Sequence, residues 1–300
     1  MLSTKKLCCF LAASCYFANC PADENSLSSV YLSLGKNSQH TSDMQLGTNI
    51  DFFRHLQFNA AFYGARNSET SDTTRQTSFG LGSNPYRLFS ISLNKDKTVQ
   101  NSNIDSRILA LLINPTRNDS SLISNKTTLS MALSFDTWQL LISPSINYLT
   151  VALPTSANVD TNNKSLEIGF NYYGWENYFF SASISRSRLA NAVATRSNTP
   201  QSLLARLILA SIVKSTAQSI EDRHFSFSFG RYFSWGNLDY NYKNSQTIEI
   251  LQNHFVTQSH TITASYQFSK SFQSDLSYTY QSSSNNITTH SMNVGLNYYW

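Results

Sequence analysis

Little in this chain is equipped for bond-making chemistry. All four cysteines (Cys8, Cys9, Cys15 and Cys20) lie near the N-terminus. If that stretch is removed on export, a disulfide scaffold, a zinc site and a thiol nucleophile are excluded from what remains. The six histidines, His40, His55, His224, His254, His260 and His290, fall in polar strand ends or loops. None has a Ser–His or Asp–His spacing that resembles the barrel phospholipases or proteases. Acids on the polar side of alternating segments are sparse: Asp51, Glu167, Asp239 and Asp275, with Lys243 as a partner. Acid–base work by paired carboxylates needs close approach and a perturbing environment. These residues read instead as hydrogen-bonded charges on a wet wall. No catalytic residue, no cofactor site and no metal ligand set is expected, so the chain reads as a non-enzyme.

The elements that would position those charges follow a leader. Lys5 and Lys6 precede an apolar run from Leu7 to Ala18, too short for a helical bilayer span, which needs about 20 residues. A basic start, a short apolar core and small residues after it make a secretory signal. Cleavage is expected after Ala22, with Cys20 at position −3 and Asp23 as the new N-terminus. The chain then divides into a signal peptide, 1–22, and one β-barrel domain, 23–300. The alternative is a lipobox at Ala12-Ala13-Ser14-Cys15, which would place a lipid anchor on Cys15.

Composition narrows the class of the exported part. The net charge of +4 falls to +2 once Lys5 and Lys6 leave, so no basic excess marks a nucleic-acid partner. Charged residues make up 13%, against about 25% in ordinary globular proteins. Aromatics also reach 13%, yet mean hydropathy is −0.29. No stretch after the leader approaches the length of a membrane-spanning helix. A transmembrane barrel meets both conditions, because each strand alternates a lipid-facing residue with a small polar one.

That alternation runs along the chain. Phe225, Phe227 and Phe229 alternate with Ser226, Ser228 and Gly230, and Leu276, Tyr278 and Tyr280 with Asp275, Ser277 and Thr279. Ile262, Ala264, Tyr266 and Phe268 do the same, as do Leu129, Met131, Leu133 and Phe135, and Val30, Leu32 and Leu34. Strands are expected at 27–36, 44–53, 56–64, 74–83, 87–94, 126–135, 138–151, 164–173, 178–188, 223–233, 237–250, 257–268, 272–281 and 289–300. That makes an all-β, antiparallel up-and-down transmembrane barrel of about fourteen strands, within about 12 to 16. Short turns, such as Gly174–Asn177 and Ser234–Gly236, alternate with long loops near 37–43, 65–73, 95–125, 152–163, 189–222, 251–256 and 282–288. Short turns belong on the periplasmic side and long loops outside. Phe52, Phe53, Tyr86, Phe89, Phe135, Trp138, Tyr172, Tyr173, Trp175, Tyr178, Phe233, Trp235, Phe268 and Phe272 crowd the short-turn end. That crowding is an interfacial girdle. A soluble β-sandwich with an aromatic core would alternate too, but would not set nearly every Trp beside a short turn. By strand position, His260 and His290 are expected at the lumen rim, solvated.

The last residues, Asn293-Val294-Gly295-Leu296-Asn297-Tyr298-Tyr299-Trp300, resemble the C-terminal β-signal of bacterial outer-membrane barrels. Asn293 takes the polar place, Gly295 the glycine two later, and Tyr298 and Trp300 the hydrophobic third-last and last places. The resemblance covers eight residues. It implies a Gram-negative outer-membrane location, delivery by periplasmic chaperones and recognition of this strand by the barrel-assembly machinery. Outer-membrane lipid and lipopolysaccharide would surround the barrel. The physical counterpart is that an unpaired amphipathic strand is a template for edge addition.

Two loops bear on function. In 189–222, Leu203, Leu204, Leu207, Ile208, Ile212 and Val213 recur at helical spacing, with Arg206 and Lys214 opposite. Such a helix either constricts the lumen with two positive charges or caps neighbouring loops, and the stretch Arg107 to Ile113 in 95–125 has the same two readings. Eight strands are filled by their own side chains, whereas about 16 to 18 leave an aqueous channel. About fourteen with a Ser, Thr, Asn and Gln lining suit passive passage of small polar solutes, as in monomeric fourteen-strand porins. The alternatives are a non-enzymatic surface barrel that displays loops and an assembly barrel resembling surface-lipoprotein assembly modulators. Fatty-acid transporters share the strand number but begin with a plug segment, which is not found here.

Overall fold

The computed structural model describes residues 28–52, 56–83, 88–103, 119–152, 158–189, 193–195, 220–248, 254–284 and 286–300. The strands are β1 (Ser29–Asn37), β2 (Thr41–Phe52), β3 (Leu56–Asn67), β4 (Thr73–Ser83), β5 (Phe89–Asn103), β6 (Asp119–Ser134), β7 (Trp138–Ala152) and β8 (Asn158–Trp175). They continue as β9 (Tyr178–Leu189), β10 (Val193–Thr195), β11 (Ile220–Phe233), β12 (Gly236–Ile248), β13 (His254–Gln267), β14 (Phe272–Ser283) and β15 (Thr288–Tyr299).

Each strand from β1 to β9 pairs antiparallel with the next, β9 pairs directly with β11, and the series runs on to β15. The last strand returns to the first, from Ser29 opposite Tyr299 to Asn37 opposite Ser291. β10 is a three-residue spur on β8, so fourteen strands close the ring. Closure matters physically. In hydrocarbon an unpaired N–H or C=O has no water to bond, so a spanning sheet cannot keep an edge.

All fourteen expected strands are present, but several are longer at the end away from the short turns. β5 continues to Asn103 and β6 begins at Asp119, so much of the expected 95–125 loop is paired strand. β8 begins at Asn158 within the expected 152–163 loop, and the first long loop shrinks to residues 38–40. The 18 residues of β8 rise about 60 Å at about 3.3 Å each. Even tilted, that exceeds the apolar band of about 25 Å, so the wall projects beyond the lipid. There both faces are wet, and the hydrophobic alternation that marks a strand in sequence disappears while the pairing continues.

Exposure fixes which face is which. In β15, Met292, Val294, Leu296 and Tyr298 are 53%, 55%, 48% and 39% exposed, while the residues between them are half-buried. The same holds for Phe89, Ile91 and Leu93 in β5, and for Leu276 and Tyr278 in β14. A continuous apolar belt of this kind far exceeds the few hundred Å² a water-soluble surface carries. Left in water, each half-exposed leucine would cost about 1 kcal/mol, so the belt faces lipid. The barrel is membrane-spanning.

At the short-turn end the outward aromatics form the expected girdle. Phe135 stacks on Trp138 at 4.1 Å, Phe233 on Trp235 at 5.0 Å, and Tyr298 on Trp300 at 5.9 Å between ring centroids. Tyr172 meets Trp175 edge-on, and Trp235 continues to Tyr266 and Phe268. Tyr173 departs from the expectation. It alternates with Tyr172 and so turns inward. Phe53 and Tyr86 lie outside the described residues.

The expected lumen-rim position of His260 and His290 is corrected. His260 is in register with Tyr242 and Tyr280, and His290 with Tyr280, on the face that carries Ile262 and Val294. Both therefore point outward. The Tyr240 hydroxyl lies 2.8 Å from His260 Nδ1 and the Tyr278 hydroxyl 2.7 Å from His290 Nδ1. Tyr–His pairs at headgroup depth behave as the aromatic belt does, with rings toward lipid and polar tips satisfied.

Turn chemistry sets the strand ends. Asn177 takes a left-handed φ of 62° between β8 and β9, a conformation asparagine tolerates. Gly236 opens β12 at φ 152°, and an added Cβ would run into the Ser265 carbonyl oxygen.

Candidate functional site: the lumen wall

Because side chains alternate across each strand, register decides which charges reach the lumen. Asp51, Glu167, Asp239, Lys243 and Asp275 all stand on the inward face, beside Gln57, Ser185, Thr263, Ser226 and Gly295 respectively. Asp43, Asp96 and Lys126, which the sequence reading did not single out, join them. Asp43 and Asp96 lie on stretches taken for loop, and their strand parity was not visible until pairing extended through them.

Three of these acids, Asp275, Asp239 and Glu167, are held by donors. Asp275 receives the side-chain amides of Gln273 at 2.7 Å and Asn297 at 2.5 Å. Asp239 accepts from Thr263. Glu167 Oε1 lies 3.5 Å from His224 Nε2, and Ser183 donates to the same carboxylate. Asp96 stands directly opposite Lys126. The donors fix where the carboxylates of Asp275, Asp239 and Glu167 point.

Between the charges the wall is amide and hydroxyl. Ser183 and Ser226 are 2.8 Å apart, Ser145 and Ser165 2.6 Å, and Thr261 and Thr279 2.9 Å. Asn59 reaches across β4 to Asn94 at 3.3 Å, and it does so over Gly80, where a Cβ would collide with both amides. Two hollows in this wall have volumes of about 370 and 250 Å³. Tyr31, Asn237, Thr263, Asp275 and Asn293 line the first, and Gln45, Tyr63, Gln76 and Thr98 the second. Among the described residues no group of three or more His, Cys, Asp or Glu could hold a metal ion.

The charge is segregated through the wall. Asp43, Asp51, Asp96, Glu167, Asp239 and Asp275 face in with Lys126 and Lys243. Lys36, Arg66, Arg75, Lys95, Lys97, Lys164, Arg186, Arg188, Arg223 and Arg231 share the outward parity of the apolar belt, with the acid Asp160 among them. Among the described residues the inner surface is thus acidic on balance and the outer rim basic.

Of the terminal motif, Asn293 and Gly295 face the lumen and Tyr298 the lipid, where it packs on Phe272 at 4.8 Å and stacks with Trp300. The Trp300 amide donates to Ser28 carbonyl oxygen at 3.1 Å, past the last paired residue. Arg206 and Lys214, with the helix expected around them, and the stretch Arg107 to Ile113 lie outside the described residues, as does the signal peptide.

In sequence, the chain matches no protein-family model and no curated protein. In structure it is similar to the CymD monoaromatic hydrocarbon channel, with a TM-score of 0.51 and 11% identity over 91% of this chain and 87% of that one. It is likewise similar to the toluene transporter TodX of P. putida, with a TM-score of 0.51 and 11% identity over 93% and 90%. At such identities the likeness is one of fold alone. That fold is the closed fourteen-strand antiparallel barrel of outer-membrane proteins.

Proposed function

We propose that the chain is an outer-membrane channel for small polar solutes, exported by a cleaved signal peptide and inserted through its C-terminal strand. The observation that carries this reading is the inward face of the closed barrel, a lining of Ser, Thr, Asn and Gln set with hydrogen-bonded acids. Such a wall replaces part of a polar solute's hydration shell at little cost, since each lost water contact has a donor or acceptor to take its place. CymD and TodX are named for hydrocarbons. A hydrocarbon on this wall would displace water from amides and carboxylates without bonding to them, which is unfavourable. The polar solute is therefore the reading favoured here. The acidic balance inside adds a preference for cations.

The test is conductance of the refolded protein in planar bilayers, together with swelling of proteoliposomes in neutral sugars. Steady single-channel currents, and swelling rates that fall with sugar size, are expected. A folded, inserted protein that carries no current and passes no sugar would overturn the channel.

A further inference from the structure

The outward basic rim contains an arrangement that a strand pair avoids unless something neutralises it. Arg186 of β9 stands directly opposite Arg223 of β11, and Lys164 of β8 directly opposite Arg188 of β9. All four are exposed. Like charges directly opposite each other on a sheet are destabilising. Among the described pairings no acid is in register with any of the four, and Asp222 lies in the bulge next to Arg223. Their cross-strand neighbours are one another, Leu166, Ile146 and Gln246, whose amide oxygen accepts from Arg223 Nε at 2.5 Å. Asp160, four residues along from Lys164, accepts from Thr150 at 2.7 Å. One step toward the short turns on the same face, Ile168, Ile184 and Phe225 lie abreast as the edge of the apolar belt. The cluster therefore sits where hydrocarbon gives way to headgroups, in the leaflet away from the short turns.

We propose that Lys164, Arg186, Arg188 and Arg223 bind the phosphate groups of an anionic lipid in that leaflet. Opposed side chains stand about 5 Å apart, close enough for one phosphate to take a donor from each of two guanidiniums. Arginine's planar fork suits a phosphate's paired oxygens better than a point charge does. The acyl chains of the same molecule would lie down the belt over Ile184 and Phe225. The site rests on the membrane-spanning reading of the barrel and not on conduction.

The experiment refolds the chain into phosphatidylcholine vesicles and adds a bisphosphorylated diglucosamine lipid, the same lipid stripped of phosphate, or inorganic phosphate. The urea midpoint for loss of tryptophan fluorescence is read in each. The phosphorylated lipid should raise the wild-type midpoint saturably, and the other two additives should not. R186Q/R223Q should need at least tenfold more lipid for the same rise. In phosphatidylcholine alone that variant should unfold at the wild-type midpoint or above it, because repulsion has been removed. K164Q/R188Q should behave alike, and R231Q should respond as wild type. Arg231 lies at the opposite end of the barrel over the Tyr178 and Phe233 rings. Equal responses of wild type and both double variants would overturn the site, as would an equal rise with the phosphate-free lipid or with inorganic phosphate. Both double variants failing to fold in phosphatidylcholine would also overturn it, since the repulsion argument predicts the reverse. A lipid-dependent rise in a protein that carries no current would support this site while rejecting the channel.

Discussion

Glu167 and His224 meet across an intervening strand, with Oε1 3.5 Å from Nε2, and Ser185 of β9 lies in register with both. Three neighbouring strands thus place a carboxylate, a hydroxyl and an imidazole in one inward row. Nothing in their sequence spacing announces it, because β11 follows β9 only after the long connection 190–219.

Glu167→Gln keeps an acceptor for His224 and Ser183 while removing a charge. It should leave the urea midpoint unchanged and lower the cation preference of the conductance. Glu167→Ala removes the acceptor as well and should cost about 1 kcal/mol of stability. A midpoint lowered equally by both substitutions would show that the charge, not the hydrogen bonding, holds the strands there.

Asp239 and Asp275 lie on β12 and β14, two strands apart, on one stretch of the inner wall. The double change to Asn keeps every donor that now reaches them. In a salt gradient, its reversal potential should move toward zero relative to wild type. The shift should be largest at low salt, where the screening length exceeds about 10 Å. A reversal potential equal to wild type at every salt concentration would remove these two acids from the permeation path.

Gly236→Val should be the most damaging single turn change, because the Cβ meets the Ser265 carbonyl and φ is 152°. Strain of this kind costs on the order of 1–3 kcal/mol. The heat-modifiable band on gels should appear at a lower temperature than in wild type, with Asn177→Gly as a neutral comparison.

The sequence made the membrane-embedded part of the barrel readable and the rest only partly so. Where lipid covers one face, as at Phe225 to Phe229 or Met292 to Tyr298, alternation alone gives the strand and its two faces. Past the lipid, at Lys97 to Asn103 paired with Asp119 to Asn125, both faces are polar and the pattern is silent. For His260 and His290 the polar character of the side chain suggests a lumen, while their parity with Ile262 and Val294 puts them outside. The basic rim is not legible in sequence, since opposition of Arg186 and Arg223 depends on pairing across a long connection.

The terminal motif separates folding from delivery. Gly295 has room in the closed barrel, since an added Cβ would sit 3.5 Å from the Asp275 carboxylate, an ordinary contact. Gly295→Ala should therefore refold in detergent like wild type. If the glycine serves recognition by the assembly machinery, the same variant should accumulate more slowly in the outer membrane of cells. Trp300→Ser loses the stack on Tyr298 and should be impaired in cells, with periplasmic protein exposed to proteolysis. Native abundance and heat-modifiable migration of both variants in cells would reject the signal.

The loop that carries Arg206 and Lys214 supplies the sharpest test of the lumen. The inner wall formed by the described strands is acidic, so two cations folded into it would offset that charge. Deleting residues 196–217 should then raise single-channel conductance and move the reversal potential further toward cation selectivity. Both effects should be strongest at low salt, because low-dielectric walls focus the field of a few fixed charges. A loop that packs outside the water path would leave both values as they are in wild type, and the wall acids alone would then set selectivity. The comparison needs the two proteins side by side in the same gradient, with D239N/D275N as a third. If the loop and the wall act on one path, the deletion and the double substitution should shift the reversal potential in opposite directions.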